Sequence, residues 1–270
     1  TLVSMSNVAL LYKSQGRYEE AETLYVRCLE VSERLRGEEH PSTLTTINNL
    51  AELYREQRRY DEAEPLYMRC LEVRRRTLGA EHPATLVTCN TLGLLYKSQG
   101  RYDEAEPLYL RCLEARERTL GAEHQATLLT RYRRADCLIE MERYPQAYNE
   151  LTLVLAGEIA LHGKDDPELA MTHWSLARCL RRLDRHAEAA SHRRRCWELE
   201  CAEDGPAASG TLQTAAALAK DLIQAKDAPA ARRVIKDALK AAKSAHDEDE
   251  DRAEQVQRLE ALLDSMKGES

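Results

Sequence analysis

Written in rows of 42 starting at Thr1, Thr43, Thr85, Thr127, Leu169, Thr211 and Ala253, the sequence lines up with itself without a gap. Rows two and three agree at 30 of 42 positions, as in Arg59-Tyr-Asp-Glu-Ala-Glu-Pro-Leu-Tyr67 against Arg101-Tyr-Asp-Glu-Ala-Glu-Pro-Leu-Tyr109. A fixed period of this length specifies a stack of supersecondary units, each burying its apolar face on the next, rather than one closed core.

Within a row, Leu44, Ile47, Leu50, Ala51 and Tyr54 fall at helical spacing and define a first helix, A. Glycine accepts the left-handed backbone that commonly ends a helix, so helix A is expected to stop near Gly16 and Gly100. Arg58, Glu142, Asp184 and Lys226 stand at that place in the other rows, where the same angles would cost about 1 kcal/mol each. The turns of those rows are therefore expected to differ in shape. Asp61-Glu-Ala-Glu64 puts acids at the positive end of a second helix, B, before Leu66, Tyr67, Cys70 and Leu71. Helix B is expected to close at Gly37, Gly79, Gly121, Gly163 and Gly205, with Pro41, Pro83 and Pro167 opening the next helix A. Two positions stay small throughout: Ala21, Ala63, Ala105, Ala147, Ala189 and Ala231, and Ala9, Ala51, Gly93, Ala135, Ala177 and Ala219. Small side chains mark the places where helices cross closely.

The period divides the chain into six repeats, 1–42, 43–84, 85–126, 127–168, 169–210 and 211–251. A closing helix from 252 to 267 carries Val256, Leu259, Leu262 and Leu263 on one face, and residues 268–270 form a tail. Thr1 corresponds to Thr43, two residues after Pro41, which reads as a start inside a helix A and a fragment of a longer protein. Its apolar end would then be open to a neighbour.

Leu50-Ala51-x-x-Tyr54 followed by Ala63 and Tyr67 resembles the tetratricopeptide repeat, whose 34-residue pattern has Leu-Gly-x-x-Tyr on its first helix. The longer period and Thr77-Leu-Gly-Ala-Glu-His-Pro-Ala-Thr-Leu86 are similar to the kinesin-light-chain type of that repeat. The resemblance is strong over residues 1–126, and from Thr127 to Asp251 the spacing persists while the wording fades. It implies an all-α, right-handed superhelical solenoid of antiparallel helix pairs whose A helices line a concave groove.

Carrying over the family's groove positions gives Ser6, Leu10 and Lys13; Asn48, Glu52 and Arg55; Asn90, Leu94 and Lys97; Tyr132, Asp136 and Ile139; and Trp174, Arg178 and Arg181. Asn48 and Asn49 match the family's asparagine pair, whereas Asn7 and Asn90 each keep one member. An asparagine amide can donate to and accept from an extended peptide backbone, a base can pair with a carboxylate, and Tyr132 and Trp174 add aromatic anchors. The resemblance thus implies a non-catalytic scaffold or adaptor for another protein, with an acidic or aromatic-bearing peptide in the groove. Two alternatives stay open: an architectural subunit held through its convex face, edges and N-terminal end, or the sensing part of a larger enzyme or signalling chain. Self-association is also open.

With 39 basic and 46 acidic residues the net charge is −7, which argues against a polyanion as the main partner. The basic stretch from Arg178 through Arg185 to Arg193-Arg-Arg195 could touch phosphates, but aromatics are not interleaved with it, and a nucleic acid is not expected. No apolar run is long enough to span a bilayer. Cys28, Cys70, Cys112 and Cys196 occupy one repeated position, where neighbours one repeat apart cannot meet. They read as reduced, buried thiols of an intracellular, cytoplasmic chain. His40, His82 and His124 also recur at one position and read as caps of helix A, while His186 and His192 near Cys196 and Cys201 lack metal-module spacing. No cofactor or metal is expected, and no nucleophile, base and orienting group stand at related spacings.

Overall fold

The computed structural model describes residues 2–245 and 249–266. Among them are thirteen helices and no strand: α1 (Leu2–Ser14), α2 (Tyr18–Arg36), α3 (Pro41–Glu56), α4 (Tyr60–Leu78), α5 (Pro83–Ser98), α6 (Tyr102–Leu120) and α7 (Gln125–Glu140); then α8 (Tyr144–His162), α9 (Leu169–Arg182), α10 (His186–Glu203), α11 (Ser209–Gln224), α12 (Ala228–Ser244) and α13 (Glu250–Ser265). Odd-numbered helices up to α11 are A helices and even-numbered ones are B helices. The architecture is an all-α repeat solenoid, divided into two compact units, residues 1–121 and 122–270.

Each A helix ends in one turn geometry. In the first repeat the amide of Gly16 donates to Lys13 O at 3.0 Å and that of Arg17 to Tyr12 O at 2.9 Å, the paired bonds of a Schellman close. The second repeat repeats both bonds, from Arg58 to Arg55 and from Arg59 to Tyr54. Arg58, Glu142, Asp184 and Lys226 take φ of 57–62°, close to the 74° of Gly16 and Gly100. The expectation that their turns would differ is therefore wrong. The paired bonds that close each turn, together with the docking of the next helix, outweigh the left-handed penalty at a side-chain-bearing residue.

B helices α2, α4, α6 and α8 end on Gly37, Gly79, Gly121 and Gly163, with φ of 89–94°; α10 ends one residue earlier, at Asp204, and Gly205 follows with φ 89°. The next A helix is then capped from its N-terminal side. His40, His82 and His124 each accept, through Nδ1, from the amide two residues on, at 3.1–3.2 Å, so each carries its proton on Nε2. Pro41 and Pro83 open α3 and α5, but Pro167 precedes α9 by two residues. There the Asp166 carboxylate accepts from the Glu168 amide at 2.8 Å, a side-chain turn that delays the helix.

In the first unit Ala9, Ala21, Ala51, Ala63 and Ala105 are fully enclosed where helices cross. A Cβ on Gly93 would stand 3.0 Å from the Tyr109 ring, so α5 and α6 approach each other closely. Tyr25, Tyr67 and Tyr109 fill one repeated slot at 0% exposure. The second unit encloses Ala135, Ala147, Ala177, Ala189, Ala219 and Ala231 in the same way, and its members of the tyrosine slot are Leu151, Arg193 and Ile235. Helix α13 packs on α11 and α12 through Leu259, capped by Asp249, which accepts from the Arg252 amide at 3.2 Å. It begins two residues before the expected start. Asp247 and Glu248 of the acidic run, Lys267 and the tail lie outside the described residues.

Candidate partner-binding face

Successive A helices touch within each unit, α3 against α5 and α7 against α9, while no two successive B helices meet to that extent among the described residues. The A helices therefore crowd the inner side of each stack. Their apolar positions are committed to the core: Leu44, Ile47, Leu50 and Leu53 of α3 are at most 4% exposed. Of the positions carried over from the sequence, all but Asn90 and Ile139 keep part of their surface.

In the first unit three of those residues belong to one network. Lys13 of α1 pairs with Glu56 of α3 at 2.8 Å, and Arg55 holds Glu52 with two bonds, at 2.6 and 3.1 Å. The hydroxyl of Tyr67, from α4, donates to Glu52 at 2.6 Å. Burial works to raise the Glu52 carboxyl, but Arg55 and then Tyr67 hold it below the usual carboxylate range. Asn48 accepts a long bond, 3.5 Å, from Thr91 of α5, and Asn49 and Lys97 are half-buried. Asn90 is only 2% exposed and is engaged within the protein, so it offers no surface to a peptide. Two of the bases expected to receive a partner's carboxylate, Lys13 and Arg55, already have carboxylates of this chain.

In the second unit Tyr132 of α7 shares a 3.0 Å hydrogen bond with Ser175 of α9, and Arg178 of α9 reaches back to Glu140 at 2.9 Å and Asp136 at 3.8 Å. Ile139 is buried. Arg181 is exposed and lines a cleft of about 220 Å³ with Arg178, Arg182, Tyr144 and Glu140. Trp174 does not stand free: the Arg193 guanidinium lies 3.8 Å over its ring. Arg193 is 2% exposed and paired through Nε to Asp221 at 3.3 Å, itself 1% exposed. It is a core residue, not part of a basic surface for phosphates, and the position of Trp174 depends on it. The basic stretch brings Arg193 to notice for the wrong reason and nothing points to Asp221, although the rows show both in slots that are otherwise apolar.

His192 meets His173 rather than His186, with Nδ1 to Nδ1 at 2.9 Å. One nitrogen must donate and the other accept, so a proton on both is excluded. Burial, and then the facing His192, push His173 down to about 4, and burial lowers His192. Below the ordinary imidazole value of 6.5 the unfolded chain takes up protons that the folded chain refuses until about pH 4. Stability present at neutral pH is therefore lost as pH falls through that window. Glu158 and Glu200, whose carboxyls are raised by burial, act in the opposite sense. The comparison of wild type with His173→Gln isolates the pair: wild type is expected to lose about 1–2 kcal/mol more than the variant between pH 7 and pH 5 in urea titrations.

The tetratricopeptide repeat family model matches residues 1–74, 46–118, 89–157 and 126–199. The chain belongs to the tetratricopeptide repeat family. Several solved structures share this fold. A Podosopora anserina protein described as a kinesin light chain, with nearly identical repeats, has 24% identity over 74% of this chain and 95% of its own, with a TM-score of 0.66. BtubC from P. vanneervenii has 18% identity over 86% and 94%, at 0.72, and the type IV pilus biogenesis factor PilW has 16% over 95% and 96%, at 0.66. At such identities the likeness is of fold alone. No curated protein matches the sequence. In tetratricopeptide terms Lys13, Asn48, Tyr132 and Arg178 of the predicted groove tie one A helix to the next, a use that the pattern within one repeat does not reveal. Among the described residues, no helix is long and apolar enough to cross a membrane.

Proposed function

We propose that the chain is a non-catalytic scaffold that holds an extended segment of another protein along its A helices. Asn48, Asn49 and Lys97 make the contacts in the first unit, and Arg178 and Arg181 make them in the second. The observation that carries the reading is the division of labour on α3, with Leu44, Ile47, Leu50 and Leu53 enclosed and the half-buried polar row Asn48, Asn49, Glu52 and Arg55 left on the open side. Because Lys13 and Arg55 are paired internally, the partner's affinity comes from backbone bonding to asparagine amides and from apolar or aromatic anchors more than from acidic side chains.

A second reading has its own support. Val8 and Leu11 of α1 are 40% and 54% exposed, whereas their equivalents one repeat on, Leu50 and Leu53, are 4% and 0% exposed. That face could serve an architectural subunit. Peptides selected from a displayed library against the folded chain separate the two. Asn48→Ala/Asn49→Ala/Lys97→Ala or Arg178→Ala/Arg181→Ala should weaken capture at least about tenfold, a loss of about 1.4 kcal/mol, with helicity by circular dichroism unchanged. Undiminished capture by both variants, together with its loss in Val8→Asp/Leu11→Asp, would show that the A-helix face is not the binding surface.

A further inference from the structure

The third repeat is the one row with a cysteine at two facing positions, Cys89 on helix A and Cys112 on helix B. The facing pairs of the first two rows are Met5 with Cys28 and Ile47 with Cys70. The two sulfurs sit across the α5–α6 crossing, one helical turn from the close approach of Gly93 to the Tyr109 ring. Each lies against the other's helix: Cys112 Sγ is 3.6 Å from the carbonyl oxygen of Leu86, one turn before Cys89, and Cys89 Sγ is 3.7 Å from that of Leu108, one turn before Cys112. Both line a cleft of about 250 Å³ that also holds Arg75, Arg111 and Arg118. Five further cysteines are buried and Cys201 is half-buried.

We propose that Cys89 and Cys112 are a redox-active dithiol, in which a peroxide reaching the arginine-lined cleft oxidises Cys89 and Cys112 resolves it to a disulfide joining α5 to α6. The environment suits the attack: contact with Cys112, and then the charges of Arg75 and Arg111, hold the Cys89 thiol below its ordinary value although burial opposes this, and the Cys112 thiol is raised. The Cys89 thiolate attacks one peroxide oxygen, forming an S–O bond as the O–O bond breaks, and hydroxide leaves to be protonated to water. The Cys112 sulfur then displaces the remaining hydroxyl, forming the S–S bond, and its proton departs with that oxygen as a second water. Two thiols lose two electrons, and one hydrogen peroxide becomes two waters.

The test is hydrogen peroxide titration of the folded wild-type chain, followed by unfolding, alkylation and non-reducing peptide mapping by mass spectrometry. The expected product is a Cys89–Cys112 cross-link two hydrogens lighter than the separate peptides, reversed by dithiothreitol, with the other six cysteines alkylated. In Cys112→Ser the same dose should leave a Cys89 sulfenic acid that dimedone traps, an adduct wild type does not give. Oxidation of Cys201 or another thiol ahead of Cys89, or a wild-type chain that carries oxidised Cys89 without the cross-link, would overturn the proposal.

Discussion

Replacing Asp221 with leucine is expected to cost about 3–5 kcal/mol of stability, and replacing Arg193 with leucine a similar amount, because each leaves one fully enclosed charge without its partner. Burial already strains the pair, raising the Asp221 carboxyl and lowering the Arg193 guanidinium, each toward its neutral form. The native pair is thus a weak source of stability and a large liability when halved. The double variant Arg193→Leu/Asp221→Leu should recover nearly all of the loss, since it restores what the chain itself places at those slots: Leu151 one repeat before Arg193, and Leu53 and Leu95 at the equivalents of Asp221, all at 0% exposure. Both tryptophans, Trp174 and Trp197, lie in the second unit, so urea unfolding followed by their fluorescence reports the right part of the molecule. Single variants within about 1 kcal/mol of wild type would show that the pair is hydrated or mispaired rather than dry.

The rows of 42 already mark this pair. Arg193 stands under Tyr25, Tyr67 and Tyr109, and Asp221 stands under Leu53 and Leu95. Reading Arg193 with its neighbours Arg194 and Arg195 as a basic stretch gave local composition more weight than register, and register was the better guide. The groove residues fail differently. Their positions follow from the repeat, but their availability does not, because Lys13 meets Glu56, Asn48 meets Thr91 and Tyr132 meets Ser175, each 43 residues away. Such pairings depend on the reach of side chains between successive A helices, which no pattern inside one repeat records. Asn48 and Asn90 have the same address and different exposure.

The fold was more legible, since it rests on local rules repeated many times. Helical spacing set the helices, glycine at a positive φ closed the B helices, and histidine accepted the first free amides of the A helices. The misjudged element was the turn between A and B, where a rule about one residue was set against a geometry held by several bonds. Propensity at Arg58, Glu142, Asp184 and Lys226 predicts a different turn, while the cooperative packing of the hairpin keeps the same one. The structure thus carries a stored cost at those four places.

That cost can be recovered. The triple variant Glu142→Gly/Asp184→Gly/Lys226→Gly, all within the second unit, is expected to gain up to about 2 kcal/mol, from roughly 1 kcal/mol of relieved left-handed strain per site less about 0.4–1 kcal/mol per site for the extra freedom glycine adds to the unfolded chain. The three side chains are exposed and contribute little packing that could be lost. The sites are a repeat apart, so their effects should add. The alanine triple variant is the control, because alanine keeps the Cβ that makes the left-handed region costly while removing the same side-chain contacts. Tryptophan-monitored urea curves should place the glycine variant above wild type and the alanine variant near it. If glycine and alanine gave equal stability, the positive φ at these turns would carry no strain, and the shared turn geometry would need another explanation.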